Sequence, residues 1–355
     1  MMLSAVSGFL ARPMKRFLAI ALVAACMACA ADGRRAPAAS ASDSSGPGSA
    51  RSAATESPLP EPRPEADAAY LVWSADSAWK KVETAWIDGA GEVVARRAGA
   101  VVAAGGGLWA WTERERPFVA TNCDCYRKHD YDPNAHCPEP ARVTVVELVD
   151  LLGTRRVTVL GERHDVSVAA PRQSASLYAG VGPYVFAETY TESYDCYNHT
   201  GVAVEPKVLD LSRGGAEAEL VDSAGAAAIK ARQGIEAREV MRRDGSEPFE
   251  AAETEPGTPD FSSVEAAWTP EGRLRVSYRF LTGACALCYN EHAGSYSRSA
   301  AVLAADMPPK LAPYAVAPDA VRLYWRRSPP DVYAGWSRVD AADPAAALAR
   351  FRGGR

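Results

Sequence analysis

The chain has 355 residues, of which 48% are hydrophobic and 23% charged, with a formal net charge of -5. That balance belongs to a globular protein with a sizeable core, to which eight tryptophans and fourteen tyrosines contribute. It excludes a phosphate-neutralising surface, which needs clustered Lys and Arg, so no nucleic-acid partner is expected.

Met14, Lys15 and Arg16 precede the apolar run Phe17 to Ala25, a basic start and a hydrophobic stretch too short to span a bilayer as a stable helix. Residues 1–25 therefore read as an export signal. The run closes on Val23-Ala24-Ala25-Cys26: one aliphatic residue, two small ones and a cysteine. This resembles the lipobox of bacterial lipoproteins. The resemblance implies that Cys26 is lipidated and becomes the mature N-terminus, which makes the membrane a partner through that lipid. It also implies an exported protein on the periplasmic or cell-surface side. Cys29 lacks an aliphatic residue three places upstream and is read as a bystander. Over residues 26–68, Ala, Ser, Pro, Gly and charge dominate, too little apolar surface to offset ordering entropy. That segment reads as a flexible tether.

Globular sequence begins at Ala69. In the region 69–170, Val82 to Ala95 holds two β-prone runs about Asp88-Gly89, a hairpin pattern. Gly105 to Trp111 leads into a strand ending at Phe118. Val143 to Val149 and Arg156 to Leu160 alternate around Gly153, a second hairpin. In the region 171–355, strands are expected at Ser176 to Tyr178, Gly182 to Tyr190, Val202 to Leu211 and Leu274 to Phe280. A helix is expected from Ser223 as N-cap to Arg232, stopped by Gly234, and Asp244 to Pro259 reads as a loop. Asp343-Pro344 marks the start of a last short helix. The expected fold is mainly β, of α+β type, with antiparallel sheets and two short helices; a β-propeller-like arrangement is the alternative.

Tyr194-Asp-Cys-Tyr-Asn-His-Thr-Gly201, followed by Val208 to Gly214, Leu220-Val-Asp222 and Met307 to Pro313, resembles the exported domain shared by the anti-sigma factor RsiV and some peptidoglycan deacetylases. The overlap runs over about residues 177–314 and lacks that family's double Gly before the His. It implies an α+β, envelope-facing binding domain with no catalytic role, and leaves the hairpins between Val82 and Ala169 uncovered.

Cys123 to Cys137 packs three cysteines and two histidines into one short stretch. With Cys26 and Cys29 set aside, an even set remains: Cys123, Cys125, Cys137, Cys196, Cys285 and Cys288. In an exported chain these are expected to form disulfides, Cys285 to Cys288 being the local pair. Zinc is the alternative, through Cys123, Cys125, His129, His136 and Cys137, but a one-residue gap between cysteines departs from the usual spacing of roughly two to four. Cys285-x-x-Cys288 also has redox spacing, though in β context. Three times a Cys-Tyr pair is followed by a histidine: Cys125-Tyr126 by His129, Cys196-Tyr197 by His199, and Cys288-Tyr289 by His292. These three histidines are candidates for a metal or ligand site if they converge; otherwise they are turn residues. Asp130 to Asn134 begins like a calcium loop, but Ala135 and Ala141 stand where Gly and Glu are required.

A Gly-x-Ser-x-Gly elbow, a His-Glu-x-x-His pair, a phosphate loop and a dinucleotide fingerprint are all absent from the sequence. No catalytic residue and no cofactor is assigned. The aromatics read mainly as core and cross-strand pairs, with a ligand groove as the alternative. The function expected is binding or sensing of an envelope polymer or partner protein. A metal-dependent hydrolase using the Cys/His loops and a structural envelope scaffold are the other two readings.

Overall fold

The computed structural model describes residues 57–118, 141–161, 172–194, 200–244, 259–281 and 299–353. Met1–Leu59 and Pro60–Arg355 separate into two units, and every element below belongs to the second. Its first seven strands are β1 (Ala69–Ala75), β2 (Val82–Asp88), β3 (Val93–Ala98), β4 (Val101–Ala104), β5 (Gly107–Phe118), β6 (Ala141–Asp150) and β7 (Arg156–Leu160). Next come β8 (Arg172–Val181), β9 (Tyr184–Tyr194), β10 (Thr200–Asp210), the two-residue β11 (Ala216–Glu217) and helix α1 (Ser223–Asp244). The chain continues through β12 (Asp260–Trp268), β13 (Leu274–Leu281), β14 (Ser299–Leu303), α2 (Asp319–Arg327), β15 (Tyr333–Arg338) and α3 (Pro344–Gly353).

The fold is mainly β, as the patterning predicts, but it is not a propeller. Strands are gathered into three open sheets: an eight-stranded one in the order β11-β10-β9-β8-β15-β1-β2-β3, a four-stranded β4-β5-β6-β7 and a three-stranded β12-β13-β14. Propeller blades are built from strands consecutive in sequence, whereas here β15, near the C-terminus, lies between β1 and β8. Pairing is antiparallel throughout the described sheets except between β15 and β8. The hairpins about Asp88-Gly89 and Gly153 form as β2–β3 and β6–β7.

The eight-stranded sheet is covered on both faces. Trp73, Leu177 and Val185 pack against Val102, Trp109 and Leu148 of the four-stranded sheet. Ala179, Val181 and Phe186 pack against Val276 and Phe280 of β13 and Ile229 and Met241 of α1. One extra residue in β8 makes this possible. The register with β9 shifts between Leu177 and Ala179, so these two apolar side chains, two apart in sequence, serve opposite cores. The bulged residue is Tyr178. Along the sheet, Val72, Trp325 and Trp336 form a third cluster under α2, and Leu71, Trp86 and Phe351 a fourth under α3.

Among the described residues three α-helices form, not two short ones, and the first is 22 residues long. Asp222, one residue before the expected Ser223, caps α1 by accepting the Gly225 amide at 2.7 Å. Gly234 does not stop the helix. A glycine inside a helix costs about 1 kcal/mol, and Ile229, Gln233, Ala237 and Met241 continue a buried stripe past it at four-residue spacing. Gln233 completes the end of β14: its amide donates to the Leu303 carbonyl at 2.7 Å, and its carbonyl accepts from the Ala305 amide at 3.1 Å. Replacing Gln233 with Leu orphans both backbone groups and is expected to cost about 2 kcal/mol in urea unfolding. Helix α3 starts as the sequence predicts, with Asp343 accepting the Ala346 amide at 2.9 Å.

Helix α2 carries a strap. Arg322, only 5% exposed, donates to the Pro60 carbonyl and to Asp319, and Arg326 pairs with Glu61. The Arg63 amide donates to Asp319 Oδ2 at 3.0 Å. Glu65 stands at the N-terminal end of α2, where a carboxylate complements the helix dipole, and accepts from the Ala320 amide and the Tyr70 hydroxyl. Its own amide donates to the Gly89 carbonyl at 2.7 Å. A Cβ on Gly89 would lie 1.5 Å from the Glu65 carbonyl oxygen, so only glycine admits the strap there. The last part of the stretch read as tether thus lies on the folded body.

Candidate functional site

All the site residues singled out in the sequence lie outside the described residues: Cys26, Cys123, Cys125, Cys137, Cys196, Cys285, Cys288, His129, His199 and His292. The strands that flank them are described. Segment 119–140 joins β5 to β6, segment 195–199 joins β9 to β10, and segment 282–298 joins β13 to β14. These arms come together. Gln173, opposite Thr191 on β9, donates to the Thr144 carbonyl of β6 at 2.6 Å and to the Gly161 carbonyl at 2.9 Å. Arg279, two residues before the end of β13, donates to Glu188 of β9 at 2.9 Å.

That end lies opposite the strap. β1 runs antiparallel to β15, Ala75 facing Tyr333, and β15 runs parallel to β8, Ala334 facing Ala179. The start of β8 therefore overshoots β15 on the side of Ala75, by about 20 Å at roughly 3.3 Å per residue. The strap sits at the Ala69 end of β1, beside Gly89.

At the hairpin end, the turn from β1 to β2 inserts Trp79 among three other aromatic side chains. Ring centroids are 6.4 Å from Trp73, 6.3 Å from Trp111 and 6.1 Å from Tyr333, with interplanar angles of 32° to 37°. Asp76 builds the turn, its side chain accepting the Lys80 amide at 2.7 Å and its carbonyl the Trp79 amide at 3.0 Å. Trp79 itself adopts φ = 53°, a left-handed conformation that costs a bulky side chain about 1 kcal/mol or more. The side chain is half-buried, and its Nε1 is buried without a hydrogen-bond partner among the described residues. Sequence periodicity does not single out Trp79, because it stands in a polar turn; Asp76, three residues earlier, is the local signal for that turn.

An ionic cluster joins the other face of the eight-stranded sheet to the three-stranded one. Arg279 bridges Glu188 and Glu265, joining β13 to β9 and β12, and all three side chains are less than a quarter exposed. Burial works against the Arg279 cation, but the charges of Glu265 and Glu188 outweigh it and raise its pKa. The Tyr178 hydroxyl is buried near these charges with no partner among the described residues. The Tyr333 hydroxyl has a pKa raised by burial and then by the Glu188 charge.

A separate cleft of about 160 Å³ lies between β1, β2, β3 and the C-terminal end of α2, lined in part by Ser74, Glu83, Arg96 and Tyr324. It is smaller than the roughly 300 Å³ at which ligand pockets begin, and its arginine is already paired with Glu83. Among the described residues no group of three or more His, Cys, Asp or Glu side chains could hold a metal ion, and no helix is long and apolar enough to cross a membrane. No family model, curated protein or solved structure matches the chain.

Proposed function

We propose that this is an exported, lipid-anchored envelope protein that acts as a binding or sensing module on an envelope component or a partner protein. The observation that carries the reading is the sequence Met14 to Cys26, a basic start, a short apolar run and a lipobox-like close. Two structural features support it. The chain enters the folded unit at a strap on α2, so the tether is attached at one end of the eight-stranded sheet. The arms of the three cysteine-bearing hairpins and the aromatic slot lie at the other end of that sheet. Disulfides among Cys123, Cys125, Cys137, Cys196, Cys285 and Cys288 are part of this proposal, since the strand ends that lead to them are neighbours. Replacing Cys26 with Ser in the full chain is expected to move the protein from the membrane to the soluble fraction. Unchanged fractionation would sink the anchor.

The cysteine and histidine density of 123–137 is what favours a second reading, a metal-dependent hydrolase. Metal analysis with thiol counting separates the two. Stoichiometric zinc with free thiols would replace the binding reading; three bridges and no metal would remove the hydrolase.

A further inference from the structure

The slot around Trp79 combines features that a core packing site does not need. A tryptophan occupies a backbone position suited to glycine, its ring is half-buried in a turn, and its indole N–H is buried without an acceptor among the described residues. Both the strained dihedral and the unpartnered N–H are relieved when the ring leaves. The walls, by contrast, are held: Trp73 is 1% exposed, Tyr333 is buried in β15, and Trp111 is tied by its Nε1 to Glu113 at 3.3 Å. Two buried rings and the half-buried Trp111 thus hold one ring on a strained turn.

We propose that Trp79 is a displaceable plug, and that the slot between Trp73, Trp111 and Tyr333 receives a flat aromatic ring of indole size from the protein's ligand. This rests on the binding-module reading and names its ligand chemistry. The occupant in place defines the shape, because an indole already fills the slot. The orphaned N–H groups define the polarity: Trp73 Nε1 and Trp79 Nε1 are both buried without an acceptor among the described residues, so a hydroxyl-rich sugar ring would bury several polar groups where two already go unpaired, whereas an aromatic ring buries few or none. Entry of a ligand ring expels Trp79 and moves the turn from Asp76 to Lys81, which makes occupancy readable as a change at the hairpin end of the fold.

Free indole is the probe. The full-length Trp79→Gly variant removes the plug and suits the left-handed backbone; titration calorimetry should show it binding indole at least ten-fold more tightly than the parent. Adding Trp111→Ala to that variant should abolish the gain. In the parent protein, saturating indole should speed hydrogen exchange of the amides of residues 76–81, a measurement that stands even if the glycine variant fails to fold. A folded Trp79→Gly protein that does not bind indole, binding that survives Trp111→Ala, or unchanged exchange in the parent would each overturn the proposal. None of these outcomes bears on the anchor, which is tested by Cys26→Ser alone.

Discussion

Gly335→Ala is expected to destabilise the fold by about 3 kcal/mol, a loss at the upper end of what overpacking costs. Gly335 of β15 and Gly180 of β8 face each other across the single parallel pairing of the described sheets, and the indole of Trp73 lies over both. A Cβ on Gly335 would sit 2.4 Å from Trp73 Nε1 and 2.6 Å from the Gly180 Cα. Neither neighbour can yield cheaply. One is backbone in the centre of an eight-stranded sheet, and the other is a 1% exposed ring packed on the four-stranded sheet behind it. Urea unfolding reads the effect as a lowered midpoint. Gly353→Ala is the matched control, since a Cβ there meets nothing within 4 Å, and its midpoint should stay put. A Gly335→Ala protein as stable as the parent would mean that β15 and β8 do not pair in this register.

That glycine pair marks the limit of what was legible in the sequence. Local turn chemistry was readable: Asp88-Gly89, the turn at Gly153 and Asp343-Pro344 each specify a geometry within a few residues, and β2–β3, β6–β7 and α3 form where those signals stand. Non-local pairing was not. Nothing near Tyr333 announces that β15 inserts between β1 and β8, because the cause is an indole slot assembled from residues far apart in the chain. Gly234 misled because its intrinsic cost is smaller than the gain from extending the buried stripe of α1 to Met241. Helix α2 was missed because its buried face includes Arg322, a charge made tolerable only by Asp319 and the strap carbonyl of Pro60. The aromatic side chains differ in how deeply they pack. Trp109 and Trp325 are core, while Trp79 and Trp111 are half-buried at the candidate slot.

Stability is expected to fall steeply as the pH rises above about 10, and Tyr178 and Tyr70 carry the largest share. Burial raises the pKa of Tyr70, and its hydrogen bond to the Glu65 carboxylate raises it further; burial and the Glu265 charge raise that of Tyr178. Tyr184, Tyr278, Tyr314 and Tyr333 shift the same way, each chiefly through burial. In the unfolded chain these phenols ionise near 10.0, while in the folded protein they give up their protons only at higher pH. Below pH 10 both states hold the proton and nothing is lost. Above it the unfolded state sheds protons that the folded state retains, so each strongly shifted tyrosine withdraws about 1.4 kcal/mol per pH unit. Tyr70 and Tyr178 together should therefore remove about 3 kcal/mol by about pH 11. Tyr178→Phe isolates one of the two. It deletes a hydroxyl that has no partner among the described residues while keeping the ring against Phe186, so at neutral pH the variant should be as stable as the parent or more so. At alkaline pH its stability should decline more gently, by about 1.4 kcal/mol per pH unit. Urea midpoints at several pH values, read beside the tyrosinate absorbance, measure both slopes. Equal slopes in parent and variant would show that the Tyr178 hydroxyl ionises in the folded protein as freely as in water, and the buried position beside Glu188, Glu265 and Arg279 would then be wrong.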